Sequence, residues 1–253
     1  MRNYLKAELF RNFHRMYLWG YIICFIGLGF LACLSARYFN YHNDAQITVE
    51  VIIGMGVSMI PGYTYLMMLF NDISLGEEIK NNTIKNIVSS GVSREKIYLC
   101  KFVEAFILMA FCTLIIFLVN VLMAVLLLDV QSNANFMNAL HEGLTRGIVA
   151  MFLWSGAIAL SLLFFMIFSS GTLAIGMYIV VMTIMKPLLN LLGNYINPMF
   201  YDLREYLLTT QLNYISSGQN LSNEESIMAI VIGIIYTISM IFIGMRVLKV
   251  KNL

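Results

Sequence analysis

A chain of 253 residues with 60% hydrophobic and 12% charged side chains, mean hydropathy +0.79, falls outside the balance of a water-soluble domain. That composition excludes a soluble globular protein and implies an integral membrane protein, which the lengths of its apolar runs make all-α. The net charge of +2 is too small to call for a nucleic-acid partner.

Residues 1–15 come first and carry a helical pattern. Met1, Leu5, Leu9, Phe13 and Met16 share one face, with Glu8, Arg11 and Arg15 opposite, which predicts an N-terminal interfacial helix lying on the inner membrane surface. An ordinary basic flank of the first span explains the same residues, and Arg2 and Lys6 blur the two faces. Apolar runs of about 20 residues, the length that crosses a hydrocarbon core as helix, follow near 17–37, 50–70, 102–128, 147–168, 172–192 and 227–247. The fourth and fifth are separated at Ser169-Ser170-Gly171, because the stretch from Ile148 to Met185 is too long for one span. Runs such as Leu114 to Leu128 lack the alternation of β-barrel strands. With no long linker or internal repeat, residues 1–253 read as a single transmembrane domain.

Within the spans, Pro61-Gly62 predicts a kink in the second, serving either as a gate or to ease packing. Glu104, three residues after Lys101, is expected at the inner interface, paired with a nearby cation. Asn120 lies deeper in the same span, where it either bonds a neighbouring span or touches substrate. Lys186 stands beside Pro187, which interrupts the fifth apolar run; it either snorkels to the outer leaflet or lines an exit path.

Lys and Arg fix the orientation. Placing the N-terminus inside puts twelve of the sixteen on the cytoplasmic side, leaves Arg37, Arg146 and Arg204 outside, and keeps Lys186 in or near a span. Both termini and the segment 71–101 are therefore expected in the cytoplasm. Phe30-Leu31-Ala32-Cys33 differs from a lipoprotein cleavage box in having Phe where Leu is usual, so cleavage is not expected. Cys24, Cys33, Cys100 and Cys112 read as apolar fillers, and His14, His42 and His141 are scattered, so neither a metal site nor a catalytic constellation is expected.

The polar passage GEEIKNNTIKNIVSSGVSREKIYLCK, residues 76 to 101, holds five of the sixteen cations. Ser74 and Glu77 stand at capping-box spacing, and Glu77 and Glu78 suit the positive end of a helix. Ile79, Ile84, Ile87 and Val88 give it an apolar stripe flanked by Lys80 and Lys85. Gly91 supplies the stop, and Ser93 caps a second helix that enters the third span. A surface helix packed on its own bundle and a helix docking a partner account equally well for this pattern.

The order Glu77-Glu78, Thr83, Ile87-Val88, Gly91-Val92-Ser93-Arg94, Lys101, set between the second and third of six spans, resembles the permease subunits of type-two ABC exporters. Asn82 and Val92 depart from the Gly and Pro usual in that family. The resemblance covers the whole chain, and its compact layout is similar to lantibiotic-immunity, antimicrobial-peptide and peptide-export permeases. It implies that residues near 74–90 form a cytoplasmic coupling helix seated on a separate ATPase subunit. Glu77, Glu78, Lys80, Thr83, Ile84 and Ile87 would be the docking residues; Pro61, Asn120 and Lys186 are candidates for the pathway or gate. No G-x-x-x-x-G-K-[ST] occurs, so the chain holds no cofactor, and ATP-Mg is expected on the partner.

Between the fifth and sixth spans, turn signals at Gly193-Asn194 and Asn197-Pro198 are followed by Phe200, Tyr201, Tyr206 and Tyr214. The resemblance implies short helices re-entering the outer leaflet there. A second permease, identical or related, would complete the pathway in a bacterial cell membrane, surrounded by lipid and carrying a peptide, drug or lipid. The rival readings are a non-transporting sensor or assembly protein, and an intramembrane enzyme. The latter fits poorly, because Asn82 stands where a prenyl-endopeptidase motif needs Arg.

Overall fold

The computed structural model describes every residue except 1, 44–45, 77, 79–88, 90, 169, 218–220 and 251–253. Among the described residues there are helices and short connections, with no strand. Five helices are long and apolar enough to cross a membrane: Met16–Asn43, Arg94–Leu127, Asn133–Ile167, Gly171–Tyr195 and Asn223–Val250. The bent pair Val49–Ser58 and Ile60–Gly76, which meet at 45°, has the length and composition of a sixth, as a broken span or a re-entrant loop, and is numbered with the spans. These are spans one, three, four, five, six and two, respectively.

The kink expected at Pro61-Gly62 is this bend. Proline has no N–H to give the carbonyl four residues back, and its ring clashes there. The chain therefore turns at Met59 and restarts as the short helix Ile60–Tyr63, with Pro61 in its first turn. A 3₁₀ turn, Thr64–Leu66, and the helix Met67–Asn71 follow, and the span ends in a π-helical turn, Asp72–Gly76. No new helix begins at Ser74, as its spacing from Glu77 had predicted. Ser74 lies within that last turn of span two, and its hydroxyl donates to Glu104 (2.7 Å) instead of capping.

Several elements outrun their apolar sequences. Span four begins at Asn133, well before the apolar run at 147, and at 35 residues it is about 50 Å long against a hydrocarbon core of roughly 30 Å. Span five is not interrupted at Lys186-Pro187: it runs through Pro187 to Tyr195. One missing N–H costs a single backbone bond, which a long helix tolerates. Gly193 is likewise no turn; its missing side chain admits the Tyr201 ring, which would stand 2.9 Å from a Cβ there. Gly91, at φ +89°, does take the left-handed conformation expected of a helix stop. Ser93 occupies the cap position of span three with extended backbone, although its side chain makes no cap bond.

Span four is the axis of the molecule. Leu153, Ala157, Ile158 and Leu162 are fully buried, and spans two, five and six pack around it. The tightest crossing is with span six, where a Cβ on Gly233 would lie 2.5 Å from the Phe152 carbonyl oxygen. Close backbone approach of this kind is how helices gain dispersion contact when lipid offers no hydrophobic driving force. Ser155 and Thr237 share a hydrogen bond of 2.8 Å beside it. Span two is held by Asn71 Nδ2, which donates to the Ile158 carbonyl (2.9 Å), and by the Tyr178 hydroxyl, which donates to that of Thr64 (2.6 Å).

Two short helices, Met199–Glu205 and Leu208–Ser216, lie between spans five and six. The second packs on span four and on the Pro61 turn.

Candidate functional site

The N-terminal helix, Arg2–Phe13, packs Phe13 against Phe111 of span three as its apolar pattern suggests, but polar residues expected to face away from the membrane are buried with it. Glu8 and Asn12 are 6% and 0% exposed, while Phe10 is 69% exposed. The face with Tyr4, Glu8, Arg11, Asn12 and Arg15 turns toward the protein, because the ends of spans two and three present ionic partners there.

Lys101 is the centre of that meeting. It is the eighth residue of span three, 0% exposed, and its Nζ contacts Glu8 Oε2 and Glu78 Oε1 at 2.8 Å each and Glu104 Oε2 at 3.5 Å. It also donates to the Ser74 carbonyl (3.0 Å). Arg11 pairs with Glu8 and, at 2.6 Å, with Glu78. Glu104, 0% exposed, is completed by Asn12 Nδ2 and the Ser74 hydroxyl. Arg15 donates to the Ile73 carbonyl (2.6 Å), so three cations face the carbonyl end of span two, where the helix dipole favours them. Burial works against the charge on Arg11, but the Glu78 hydrogen bond and the field of Glu8, Glu78 and Glu104 outweigh it and raise its pKa. Burial, followed by the same carboxylates, also raises that of the Tyr4 hydroxyl.

This network lies on both sides of the segment expected to dock a partner. Glu78 enters it from that segment, with 4% exposure, so its carboxylate faces inward and not toward another subunit as expected. Glu77, Lys80, Thr83, Ile84 and Ile87 lie outside the described residues. At the segment's other edge, Arg94 donates to the Leu248 and Lys249 carbonyls (3.1 and 3.2 Å), capping span six, and Glu95 lies 3.6 Å from Lys249 Nζ. The N-terminal helix and the ends of spans two, three and six thus gather at one end of the molecule, the end with most of the basic residues.

The candidate pathway residues are spread out. Pro61 sits at the bend of span two. Asn120 faces Gly29 of span one, so closely that a Cβ on Gly29 would overlap it; its Oδ1 is buried and accepts no hydrogen bond from the described residues. Lys186 is half-buried within unbroken span five. No hydrogen bond or ion pair among the described residues joins the three.

At the far end a residue read only as an outer flank proves structural. Arg146, 1% exposed, donates to the Ile215 carbonyl and to that of Ser217 (2.8 Å), and pairs with Glu142 at 2.5 Å. It caps the helix Leu208–Ser216. Arg204 reaches Asn190 of span five (3.0 Å), and Gln211 bonds the Glu205 carbonyl (2.7 Å).

The family model of ABC-2 family transporter proteins matches residues 4–185, most of the chain and all of the ionic network. The chain belongs to this family. No curated protein is similar enough to count as a relative. As an ABC-2 permease subunit it is a membrane component of a transporter and not itself the catalyst. The match begins in the N-terminal helix and runs through span two, the polar segment and most of span five. The helices Met199–Glu205 and Leu208–Ser216 and span six lie beyond it. Sequence reasoning paired Glu104 with a nearby cation but missed Glu8, Asn12 and Ser74. The available signal was the i,i+3 spacing of Glu8 with Arg11 and of Lys101 with Glu104.

Proposed function

We propose that this permease exports an amphipathic or hydrophobic substrate, taken from the inner leaflet, and is driven by a separate ATPase subunit that docks on residues near 74–90. The observation that carries the coupling half of this reading is the buried network around Lys101. It joins Ser74 and Glu78, at the start of the segment, to the N-terminal helix and to span three, while Arg94, just past its far edge, joins span three to span six. Force applied to such a segment reaches the N-terminal helix and spans three and six, in part through buried ion pairs that are costly to break. A compact chain with little mass outside its helices favours a cargo that enters from lipid. Two permease subunits, identical or related, would enclose the path, and the cargo must bind the inward-open and outward-open states with different affinity.

Co-purification from membranes with the co-expressed ATPase subunit tests this. Glu77→Lys is expected to release that subunit while the permease remains folded. Glu78→Gln is expected to lower stability with docking retained, since its carboxylate faces inward. Failure of the wild-type chain to retain any ATPase subunit would favour the non-transporting sensor or assembly reading.

A further inference from the structure

At the same end as the ionic network, an open groove of ≈ 490 Å³ lies between the last turns of spans four and six, lined by Met166, Ile167, Arg246, Val247 and Val250. Four of these are apolar and one is a cation. The volume lies in the range of about 300–1,000 Å³ found for small-ligand sites. Arg246 is held with its guanidinium 4.4 Å from the centre of the Phe242 ring, an arrangement that fixes its direction without neutralising it. No carboxylate pairs with it among the described residues, whereas its charged neighbours are engaged: Lys249 with Glu95 and Arg94 with the end of span six.

A cation on the rim of an apolar groove complements a molecule that is anionic at one end and hydrocarbon at the other. A guanidinium also presents a planar fork of donors suited to phosphate oxygens. Arg246 lies three residues before Lys249, about 5 Å by helical rise, on the stretch of span six where Arg94 and Glu95 meet it, which sets the charge at headgroup depth. We infer that this groove holds one anionic phospholipid, its phosphate on Arg246 and an acyl chain along Met166, Ile167, Val247 and Val250. The basic end of the molecule is the one that topology places in the leaflet where anionic lipid gathers.

Native mass spectrometry of the purified full chain, titrated separately with phosphatidylglycerol and phosphatidylcholine, tests the site. The wild-type chain is expected to retain one phosphatidylglycerol in preference to phosphatidylcholine. Arg246→Gln should lower that occupancy on the order of tenfold, as loss of a charged hydrogen bond does. Arg246→Lys should restore part of it, and Val247→Trp, which fills the groove and leaves the charge, should also lower it. Thermal unfolding of each variant separates these effects from misfolding. Equal retention of both lipids, or of phosphatidylglycerol by wild type and Arg246→Gln, overturns the proposal. So does displacement of the lipid by inorganic phosphate alone, which would mark a bare anion site. A change from dimer to monomer in the variants, with lipid retention unaltered, would make the groove a contact between subunits and overturn it too.

Discussion

Lys101 balances more charge than any other single side chain described in the protein. It stands among Glu8, Glu78 and Glu104 with no exposure to solvent, so removing its ammonium leaves buried carboxylates against Arg11 alone. Lys101→Met is therefore expected to cost about 3–5 kcal/mol, the usual penalty for breaking one side of a buried ion pair. A thermal-unfolding series in detergent would detect it, and adding Glu78→Gln should recover part of the loss through coupling between the two sites. An unchanged unfolding temperature for Lys101→Met would show that the network does not bear on stability. At the opposite end, Ser222 and Glu225 exchange bonds of 3.0 and 3.1 Å at the start of span six. The Ser222 N–H donates to the Glu225 carboxylate and the Glu225 N–H to the Ser222 hydroxyl, a reciprocal cap on the helix start.

Elements show where sequence periodicity sufficed and where it did not. Apolar run length made the crossing helices legible, because a backbone in hydrocarbon must satisfy its own hydrogen bonds. It did not show how far spans three and four extend, since polar residues continue a helix once packing supports it. The N-terminal helix was assigned to the correct residues, but the burial of its polar residues Glu8 and Asn12 was not foreseen. Amphipathicity tells which side differs, while the choice between lipid and protein depends on partners about ninety residues away. Arg146 is a similar case, since its buried role rests on carbonyls of the helix Leu208–Ser216. Arg146→Met should leave those carbonyls uncapped and raise amide exchange across 208–217, with the spans unaffected. The spans four and six crossing gives a sharper expectation. Gly233→Ala places a methyl group against the Phe152 carbonyl and should cost about 1–3 kcal/mol by overpacking, read as a lowered unfolding temperature.

Across the whole molecule, two kinds of polar contact divide the work. One end ties the N-terminal helix to spans two and three and, through Arg94, to span six; the other uses Arg146 and Arg204 to fasten the short helices to spans four and five. The sequence placed the cations at both ends by their position relative to the apolar runs. It left their pairing hidden, because ion pairs across 93 residues in sequence leave no local periodicity. The network around Lys101 also bears on how the chain is made. Glu8 and Asn12 leave the ribosome before any of Ser74, Glu78, Lys101 or Glu104 exists, so the first helix has nothing to bind while span one is being inserted. Its polar face can close only after span three has entered the bilayer, and biogenesis thus ends for the N-terminus roughly where it begins for the middle of the chain.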